Sequence, residues 1–243
     1  MEAQECSLSV IGTGSSGNGY ILTCGKDKLI IECGMPLERV LERLDYDISG
    51  VCGVIVTHAH GDHAKHVPEY AKYFKIYSCR SVADKFGCVD TIKGKTRHTI
   101  GAFDVIPLPV PHGDCENYAY YIRHPQCGYF LFCTDAERFP YRTLKPLPDN
   151  IIIECNYIHE IILGHMDKGE DIRSDYRSHM EICDTVDAVS RLRGSSLRHV
   201  VLIHRSSSNF DRRTACRVFS EELQIDVKVA RNGDCINLGV YDF

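Results

Sequence analysis

The chain lacks any long apolar segment. None of its 243 residues belongs to a run of about eighteen apolar residues, which is the least that a membrane-spanning helix needs. The first residues, Met1 to Cys6, are acidic, where a secretory signal would be basic and then apolar. We therefore expect no membrane partner and a cytoplasmic location.

Closely spaced cysteine pairs are also missing. The chain has 13 cysteines, and the closest two, Cys127 and Cys133, are six positions apart, so no C-x-x-C pair occurs. Others, such as Cys33, Cys155 and Cys183, stand inside apolar runs, where a free thiol behaves as a small hydrophobic group. The pattern predicts that nearly all of them are reduced core residues of an intracellular protein, not a disulfide framework.

An excess of positive charge is absent as well. The formal net charge is −5, which argues against a protein that mainly coats nucleic acid, because such binding depends on Lys and Arg neutralising phosphates. A local basic patch is still compatible with this balance. With 44% hydrophobic and 25% charged residues, the composition is that of a globular protein. No linker or low-complexity segment divides it, so we predict one domain, residues 1–243.

Strand-like and helix-like segments alternate in two similar halves. This differs from the strict β-α alternation of a doubly wound sheet, and it favours an α/β (α+β) fold of two packed sheets with helices on their outer faces. The predicted elements include a hairpin (119–123 with 129–133), an irregular or edge strand (103–111) and a closing strand (236–241); helices are predicted at 37–44, 63–74, 81–86 (capped by Ser81), 157–165 and 212–223.

One stretch carries most of the chemistry. The apolar run Val54-Ile55-Val56 is followed by Thr57-His58-Ala59-His60-Gly61-Asp62-His63. Two histidines separated by one residue can point the same way from a strand end, and a turn at Gly61 lets Asp62 and His63 face a second ion. Imidazole and carboxylate are ligands that zinc prefers. A His-rich surface loop is the alternative, and its position directly after a buried strand disfavours it.

Three more potential ligands follow predicted strands: His112, Asp135 and His204. Any one of them alone would be an ordinary turn residue. Their recurrence at strand ends is typical of an active site along one edge of a sheet, where a rigid scaffold positions loop residues.

Two further features indicate substrate contacts. The glycine-rich segment 12–19 lacks the phosphate-binding G-x-x-x-x-G-K-[ST] pattern, so it is predicted to be a turn between strands, from which Ser15, Ser16 and Asn18 can reach a substrate. Ser178 and Glu181 have capping-box spacing. His179 would then begin a helix, at a natural anion site; a solvent-exposed histidine is the alternative.

The sequence resembles the metallo-β-lactamase superfamily through T-H-A-H-G-D-H, the later His112, Thr134-Asp135 and His204. The resemblance implies an αββα sandwich. It also implies that His58, His60 and His112 hold one metal ion, that Asp62, His63 and His204 hold a second, and that Asp135 bridges the two.

Within that superfamily the chain is most similar to the YycJ/WalJ/VicX-type branch of phosphodiesterases and nucleases. The motifs that carry this are Gly14–Asn18, Glu154–Tyr157 and His204–Asn209, and they imply that Asn156 and Asn209 contact substrate. The chain departs from the pattern at Glu32-Cys33-Gly34, where Asp-x-Gly is usual, and at Ser178–Glu181. These departures spare the predicted ligands and concern the substrate.

The implied activity is hydrolysis of phosphodiester bonds by a hydroxide that bridges two divalent ions. Zinc is favoured, with manganese and iron(II) as alternatives. Asp62 would orient the hydroxide, and His179 would contact a phosphate or protonate the leaving group. Two alternatives are a carbonyl hydrolase acting on thioesters, lactones or β-lactams, and a non-catalytic metal-bearing protein that binds a nucleotide. The pattern leaves open whether the phosphodiester is a nucleic acid or a small nucleotide, and which oligomer forms.

Overall fold

The first half of the chain forms one sheet. A computed structural model describes residues 6–168 and 176–239. The first six strands are β1 (Cys6–Gly12), β2 (Gly19–Cys24), β3 (Asp27–Ile31), β4 (Val51–Ile55), β5 (Ile76–Ser78) and β6 (Asp90–Thr91). They lie side by side in chain order. The pairs from β1 to β3 are antiparallel, and those from β3 to β6 are parallel.

The second half builds a matching sheet. Its strands, again adjacent in chain order, are β7 (His98–Ile100), β8 (Phe103–Val110), β9 (Asn117–His124), β10 (Gly128–Cys133), β11 (Asn150–Glu154), β12 (His199–Ile203) and β13 (Val227–Val229). The last strand, β14 (Cys235–Asn237), returns to pair with β1. Within the described residues each sheet is therefore mixed and seven-stranded.

Helices cover the outer faces of this pair of sheets. They are α1 (Leu37–Arg43), α2 (Gly61–Ala64), α3 (Val67–Tyr70), α4 (Arg80–Phe86), α5 (His159–Asp167), α6 (Ile182–Leu192) and α7 (Arg212–Leu223), with a 3₁₀ turn at Tyr176–Ser178.

The alternation of side chains along the strands shows how the sheets and helices are layered. Ile151 and Ile153 of β11 pack in one apolar cluster with Phe219 of α7. Their neighbour Ile152 belongs instead to the cluster between the sheets, where Tyr20 and Phe132 meet edge to face at 5.2 Å. Because successive strand residues face opposite sides, β11 is buried on both faces. The predicted αββα sandwich is confirmed, whereas the extent of the domain, 1–243, stays a prediction.

Local signals located some elements well. The predicted hairpin is β9–β10, and the helix predicted at 212–223 has those bounds. Asp211 begins that helix, and its carboxylate accepts a hydrogen bond from the backbone N–H of Thr214 at 2.8 Å.

Other predicted elements were wrong in detail. The helix expected over 63–74 is two short helices, α2 and α3, because Pro68 lies in the first turn of α3 and cannot continue a preceding helix. The helix expected at 81–86 begins at Arg80 with Cys79 as its N-cap residue and no side-chain cap. The helix expected at 157–165 is α5, shifted by two residues.

The proline-containing strand β8 is not an edge strand along its whole length. It lies between β9 and β7, but β7 pairs only with residues 103–105. Pro107 and Pro109 lie beyond that pairing, where a missing N–H breaks no ladder bond. The closing strand ends at Asn237, and the part predicted over 240–241 lies outside the described residues.

All 13 cysteines are free thiols, as predicted. The prediction that nearly all of them are core residues is wrong, because Cys88, Cys183 and Cys235 are exposed and Cys52, Cys115 and Cys216 are only partly buried. Cys183 lies in the first turn of α6.

Candidate metal centre

The predicted ligands meet at one edge of the sandwich. His58, His112, Asp135 and His204 follow the carboxyl ends of β4, β8, β10 and β12. All of these side chains are at least 96% buried. Because β8, β10 and β12 run in the same direction, their ends present the ligands together.

Three histidines form the first group. The Nε2 of His58 lies 3.0 Å from the Nδ1 of His60, and the Nε2 of His112 lies 3.1 Å from that same Nδ1. His60 is the most exposed member of this group, so it faces the solvent side of the site.

The second group consists of Asp62, His63, Asp135 and His204. The Oδ2 of Asp62 is 3.2 Å from the Nε2 of His63 and 3.5 Å from the Nε2 of His204.

Asp135 links the two groups, one oxygen to each. Its Oδ1 is 3.2 Å from the Nε2 of His63 and 3.4 Å from that of His204. Its Oδ2 is 3.9 Å from the Nε2 of His58 and 3.8 Å from that of His112. This is the arrangement that a carboxylate bridging two cations requires.

The distances fit the size of a metal ion. Bonds of about 2.1 Å in tetrahedral geometry put neighbouring ligand atoms roughly 3.4 Å apart, and the contacts above, from 3.0 to 3.9 Å, bracket that value. The donors are imidazole and carboxylate, which zinc accepts readily.

The backbone at two of these ligands is unusual. Asp135 has φ of 50° and His204 has φ of 49°, a left-handed conformation that is uncommon outside glycine. Such residues concentrate where function constrains the chain, and here the turn directs each side chain back over the strand end.

Buried carboxylates hold the histidine rings, and sequence reasoning did not assign them. The Oε1 of Glu154 lies 3.0 Å from the Nδ1 of His204, and the Oε1 of Glu32 lies 3.3 Å from the Nδ1 of His63. Both glutamates are fully buried. The contact with Glu154 leaves the Nε2 of His204 for a metal, as expected when a carboxylate orients a ligating histidine. At His63 the Glu32 carboxylate faces Nδ1 without forming a hydrogen bond, and the side-chain amide of Asn18 lies 3.0 Å from Nε2.

Neutral oxygens perform the same task at the first group. The Nδ1 of His112 lies 2.9 Å from the carbonyl oxygen of Ser178, and the Nδ1 of His58 lies 2.9 Å from the Oγ1 of Thr57.

One signal could have identified the glutamates: Glu32 and Glu154 are the charged residues that end the apolar runs of β3 and β11.

When no metal is bound, protonated histidines offset the negative charge of the carboxylates. Burial and the charge on His63 hold the pKa of His58 well below its usual value. Although burial opposes it, the charge of Asp135, with hydrogen bonds that the ring donates to Asp62 and Glu154, raises the pKa of His204 to about 10. Burial also opposes ionisation of Asp135, yet the adjacent charges of His204 and His63 bring its pKa far below normal.

His179 lies beside the second group, although the reason predicted for it was wrong. The helix α6 begins at Ile182 with Glu181 as its cap, so Ser178 caps nothing and His179 does not start a helix. The backbone here pairs instead with the segment that follows β11. Asn156 N–H donates to the Met180 carbonyl and Ile182 N–H to the Tyr157 carbonyl, both at 3.0 Å.

The ring of His179 is nevertheless in contact with the centre. It stacks on His204 at 5.3 Å between centroids, and its Nδ1 is 2.7 Å from Glu154 Oε1. Burial lowers its pKa, but the charge and hydrogen bond of Glu154 outweigh this and raise it overall. With a side chain 19% exposed, it can reach a bound molecule.

The remaining predicted contacts divide into two kinds. Ser15 and Ser16 are exposed and line a hollow of about 300 Å³ together with Asp62. Asn18, Asn156 and Asn209 are buried. The side chain of Asn18 donates to the Asp62 carbonyl at 3.3 Å, and that of Asn156 donates to the His204 carbonyl at 2.9 Å. These two amides position ligand loops, and their role as substrate contacts stays a prediction.

A second hollow, of about 410 Å³, borders the first ligand group and includes His60, His112 and Ser178. Each ligand group thus has open space beside it. Among the described helices, none has the length and apolar character needed to cross a bilayer.

Comparison with known proteins assigns the family. Residues 12–141, more than half of the chain, match the model of the metallo-beta-lactamase superfamily. The chain belongs to that superfamily. It is a hydrolase of the metallo-beta-lactamase fold whose His/Asp clusters can bind metal ions.

Individual relatives agree with the predicted branch. Exodeoxyribonuclease WalJ of Streptococcus pneumoniae is 24% identical, over 96% of this chain and 93% of that protein. The anti-Pycsar protein Apyc1 of Paenibacillus xerothermodurans is 34% identical over 26% of this chain, and the match spans only 28% of Apyc1. The crystal structure of the metallo-beta-lactamase fold protein YhfI from Bacillus subtilis superposes with a TM-score of 0.73 at 16% identity, covering 96% of this chain and 99% of YhfI; that likeness supports the fold.

Proposed function

We propose that this protein hydrolyses phosphodiester bonds with two divalent metal ions, and that DNA is its substrate class. The observation that carries the proposal is the position of Asp135, whose two oxygens contact different ligand groups. A single-metal site has no need of that arrangement, whereas two adjacent ions suit the displacement at phosphorus.

Two cations bound by these groups would lower the pKa of a water molecule and stabilise negative charge on a phosphoryl group. His58, His60 and His112 would hold the first ion, and Asp62, His63 and His204 the second, with Asp135 between them. Zinc suits these donors, and manganese is the alternative that the carboxylates favour.

His179 would act on the substrate directly. Glu154 fixes its Nδ1, so the Nε2 is the ring atom that can face a phosphate oxygen. The raised pKa favours the protonated ring, in which form it binds an anionic oxygen or donates a proton to the leaving oxygen. A carbonyl substrate carries no phosphate charge, so it has no equivalent need for the protonated imidazole of His179.

DNA is favoured by two observations. The similarity to WalJ extends over nearly the whole chain, and that relative is named an exodeoxyribonuclease. The hollows beside the two ligand groups also leave room for a chain that continues beyond the bond being cleaved.

The test compares substrates of different classes on protein reloaded with zinc or manganese. We expect turnover of bis-p-nitrophenyl phosphate and of linear DNA, with loss of both after chelation. End-labelled linear and closed circular DNA separate attack at chain ends from internal cleavage. Hydrolysis of thioesters, lactones or β-lactams alone, with no phosphodiester cleaved by protein holding two ions, would reject the proposal.

The His179→Ala variant tests the substrate class a second way. Because the imidazole contributes only where phosphate charge or a poor leaving group is present, we expect the kcat for DNA to fall by about 10²-fold or more, with a small effect on an activated carboxylic ester. His159→Ala, an exposed histidine on α5, is the matched control. Equal losses on both substrates would assign His179 a role in holding the metal ligands instead.

A further inference from the structure

Three cysteines converge away from the metal centre. The sulfurs of Cys6, Cys24 and Cys127 all lie within 4.8 Å of one another, and these residues are at most 3% exposed. The sequence predicts only separate core thiols here, since 18 positions divide Cys6 from Cys24 and 103 divide Cys24 from Cys127.

The strand register explains how they meet. Cys6 opens β1, Cys24 ends β2, and the two are directly opposite in the antiparallel pair. Cys127 belongs to the tight turn between β9 and β10, just before Gly128, whose φ of 88° closes that turn. The cluster therefore joins the ends of two neighbouring strands of one sheet, β1 and β2, to a hairpin of the other sheet.

This cluster is remote from the histidine centre. The strand β1 runs from Cys6 to Gly12 and only then enters the turn that packs on Asp62, so the two sites lie at opposite ends of a strand of roughly 20 Å. Likewise β10 runs from the turn of Cys127 to Asp135. The two sets share no residue.

One of the three thiols ionises readily. Hydrogen bonds from Cys24 and Cys6 lower the pKa of the Cys127 thiol far below its usual value, and His124 adds to this effect. Hydrogen bonding with Cys127 and burial raise the pKa of Cys6 and of Cys24 instead. The Nε2 of His124 lies 3.3 Å from the Oδ2 of Asp27, an orientation that leaves its Nδ1 toward the turn. The positive charge of Arg198 acts on Cys6.

We infer that Cys6, Cys24 and Cys127 bind a zinc ion at a structural site separate from the catalytic pair. Thiolate is the ligand type that selects zinc among the common divalent ions, and Zn–S bonds of about 2.3 Å put tetrahedral sulfurs roughly 3.8 Å apart, within the separation found here. His124 flanks the site and hydrogen-bonds to Cys127, but its Nδ1 accepts the backbone N–H of Gln126 at 3.4 Å, so the three sulfurs are the protein ligands of the site.

Arg198 offsets part of the charge of such a site. Three thiolates and one divalent ion carry one net negative charge, and the guanidinium of Arg198 acts on Cys6 while it also pairs with Asp149 at 3.7 Å. Binding releases the thiol protons, as a metal does when it occupies cysteine ligands. The ion would fasten the first two strands to the β9–β10 hairpin and so stabilise the packing of the sheets.

Cobalt(II) substitution tests this site without measuring activity. The histidine centre offers only nitrogen and oxygen donors, so any sulfur-to-cobalt charge-transfer absorption must come from cysteine. For the full chain, stripped of metal under reducing conditions and reloaded with cobalt, we expect that absorption at one equivalent per chain, together with a rise in Tm. Cys127→Ser should abolish it, and His58→Ala should retain it.

Cys79→Ser is the matched control, because Cys79 is a buried thiol outside the cluster, and it should keep the absorption. No sulfur-to-cobalt band in cobalt-saturated wild-type protein with free thiols would overturn the inference, whether or not the variants fold. A Cys6–Cys24 disulfide in protein prepared under reducing conditions would overturn it too. Neither result would affect the proposed phosphodiesterase, whose ligands are separate.

Discussion

At the scale of single residues, the metal centre depends on buried groups that touch no metal. Glu154 is the clearest case, since one of its oxygens lies within 3.0 Å of both the Nδ1 of His204 and that of His179. Its other oxygen accepts hydrogen bonds from the backbone of Ala136 and Met180. One carboxylate thus fixes a metal ligand, the proposed substrate contact and the loop that follows Asp135.

The variant Glu154→Gln should separate this role from general stability. The amide keeps the shape but loses the charge that orients both rings, so we expect metal affinity or kcat to fall by about 10- to 100-fold. Metal content after dialysis and turnover of bis-p-nitrophenyl phosphate measure the two effects. Glu160→Gln, an exposed change on α5, should leave both unaltered; an unaltered Glu154→Gln protein would refute the orienting role.

At the scale of elements, three connecting segments interlock to present the second metal group. The backbone N–H of Asn18, at the end of the β1–β2 turn, donates to the Asp62 carbonyl at 2.7 Å. The N–H of Gly34, after β3, donates to the Asn18 carbonyl at 2.9 Å, and Cys33 N–H donates to the His63 carbonyl at 2.7 Å. The ligand loop after β4 is therefore held from two sides by backbone.

Two glycines in these segments make a matched test of that interlock. A Cβ on Gly34 would overlap the Asp62 carbonyl, whereas one on Gly61 would meet nothing within 4 Å. We expect Gly34→Ala to lower the free energy of unfolding by about 1–3 kcal/mol or more and to weaken metal binding, and Gly61→Ala to change it by at most about 0.5 kcal/mol. Chemical denaturation and metal analysis give the comparison, and equal effects would contradict the interlock.

At the scale of the whole molecule, much of the fold and the seven side chains that converge at the candidate metal centre can be predicted from sequence, because each leaves a local pattern. Apolar runs that end in His or Asp identify the strand ends, and the turn at 125–128 identifies the β9–β10 hairpin. The start of α6 cannot be obtained this way. The capping pattern of Ser178 and Glu181 is local, but the segment after β11 pairs with the backbone at Met180 and Ile182, and this tertiary pairing overrides it.

Contacts between residues that are far apart in the sequence are the other feature that local sequence patterns do not predict. Nothing local tells that Glu32 will face His63, or that Cys127 will meet Cys6, because both depend on how the sheets pack. The same packing decides that Asn18 is buried behind Asp62 and not exposed with Ser15 and Ser16.

The whole metal-free protein should respond to pH through His204. Its pKa is raised to about 10, above an unfolded value of about 6.5. The raised pKa gives stability that is fully present below pH 6.5 and is lost as pH rises toward 10. Metal binding must expel this proton, so affinity should rise over the same window. The Tm of chelated protein, and zinc affinity by competition with a chelator, measure the two trends.

The control for this pH response is His204→Gln, whose chelated form should show a flatter Tm profile between pH 7 and 10. A wild-type Tm that stayed constant or rose across that window would contradict the assignment of the proton to His204.

The central claim is that Asp135 bridges two ions that act together on a phosphodiester. The direct measurement is a titration of chelated protein with manganese, in which the release of p-nitrophenol from bis-p-nitrophenyl phosphate is followed. Manganese is chosen because the cysteine site disfavours it, since thiolate is a soft ligand. Activity should track the fraction of protein holding two ions, and Asp135→Asn should stay inactive throughout. Full activity at one equivalent, or no p-nitrophenol with two ions bound, would contradict the account.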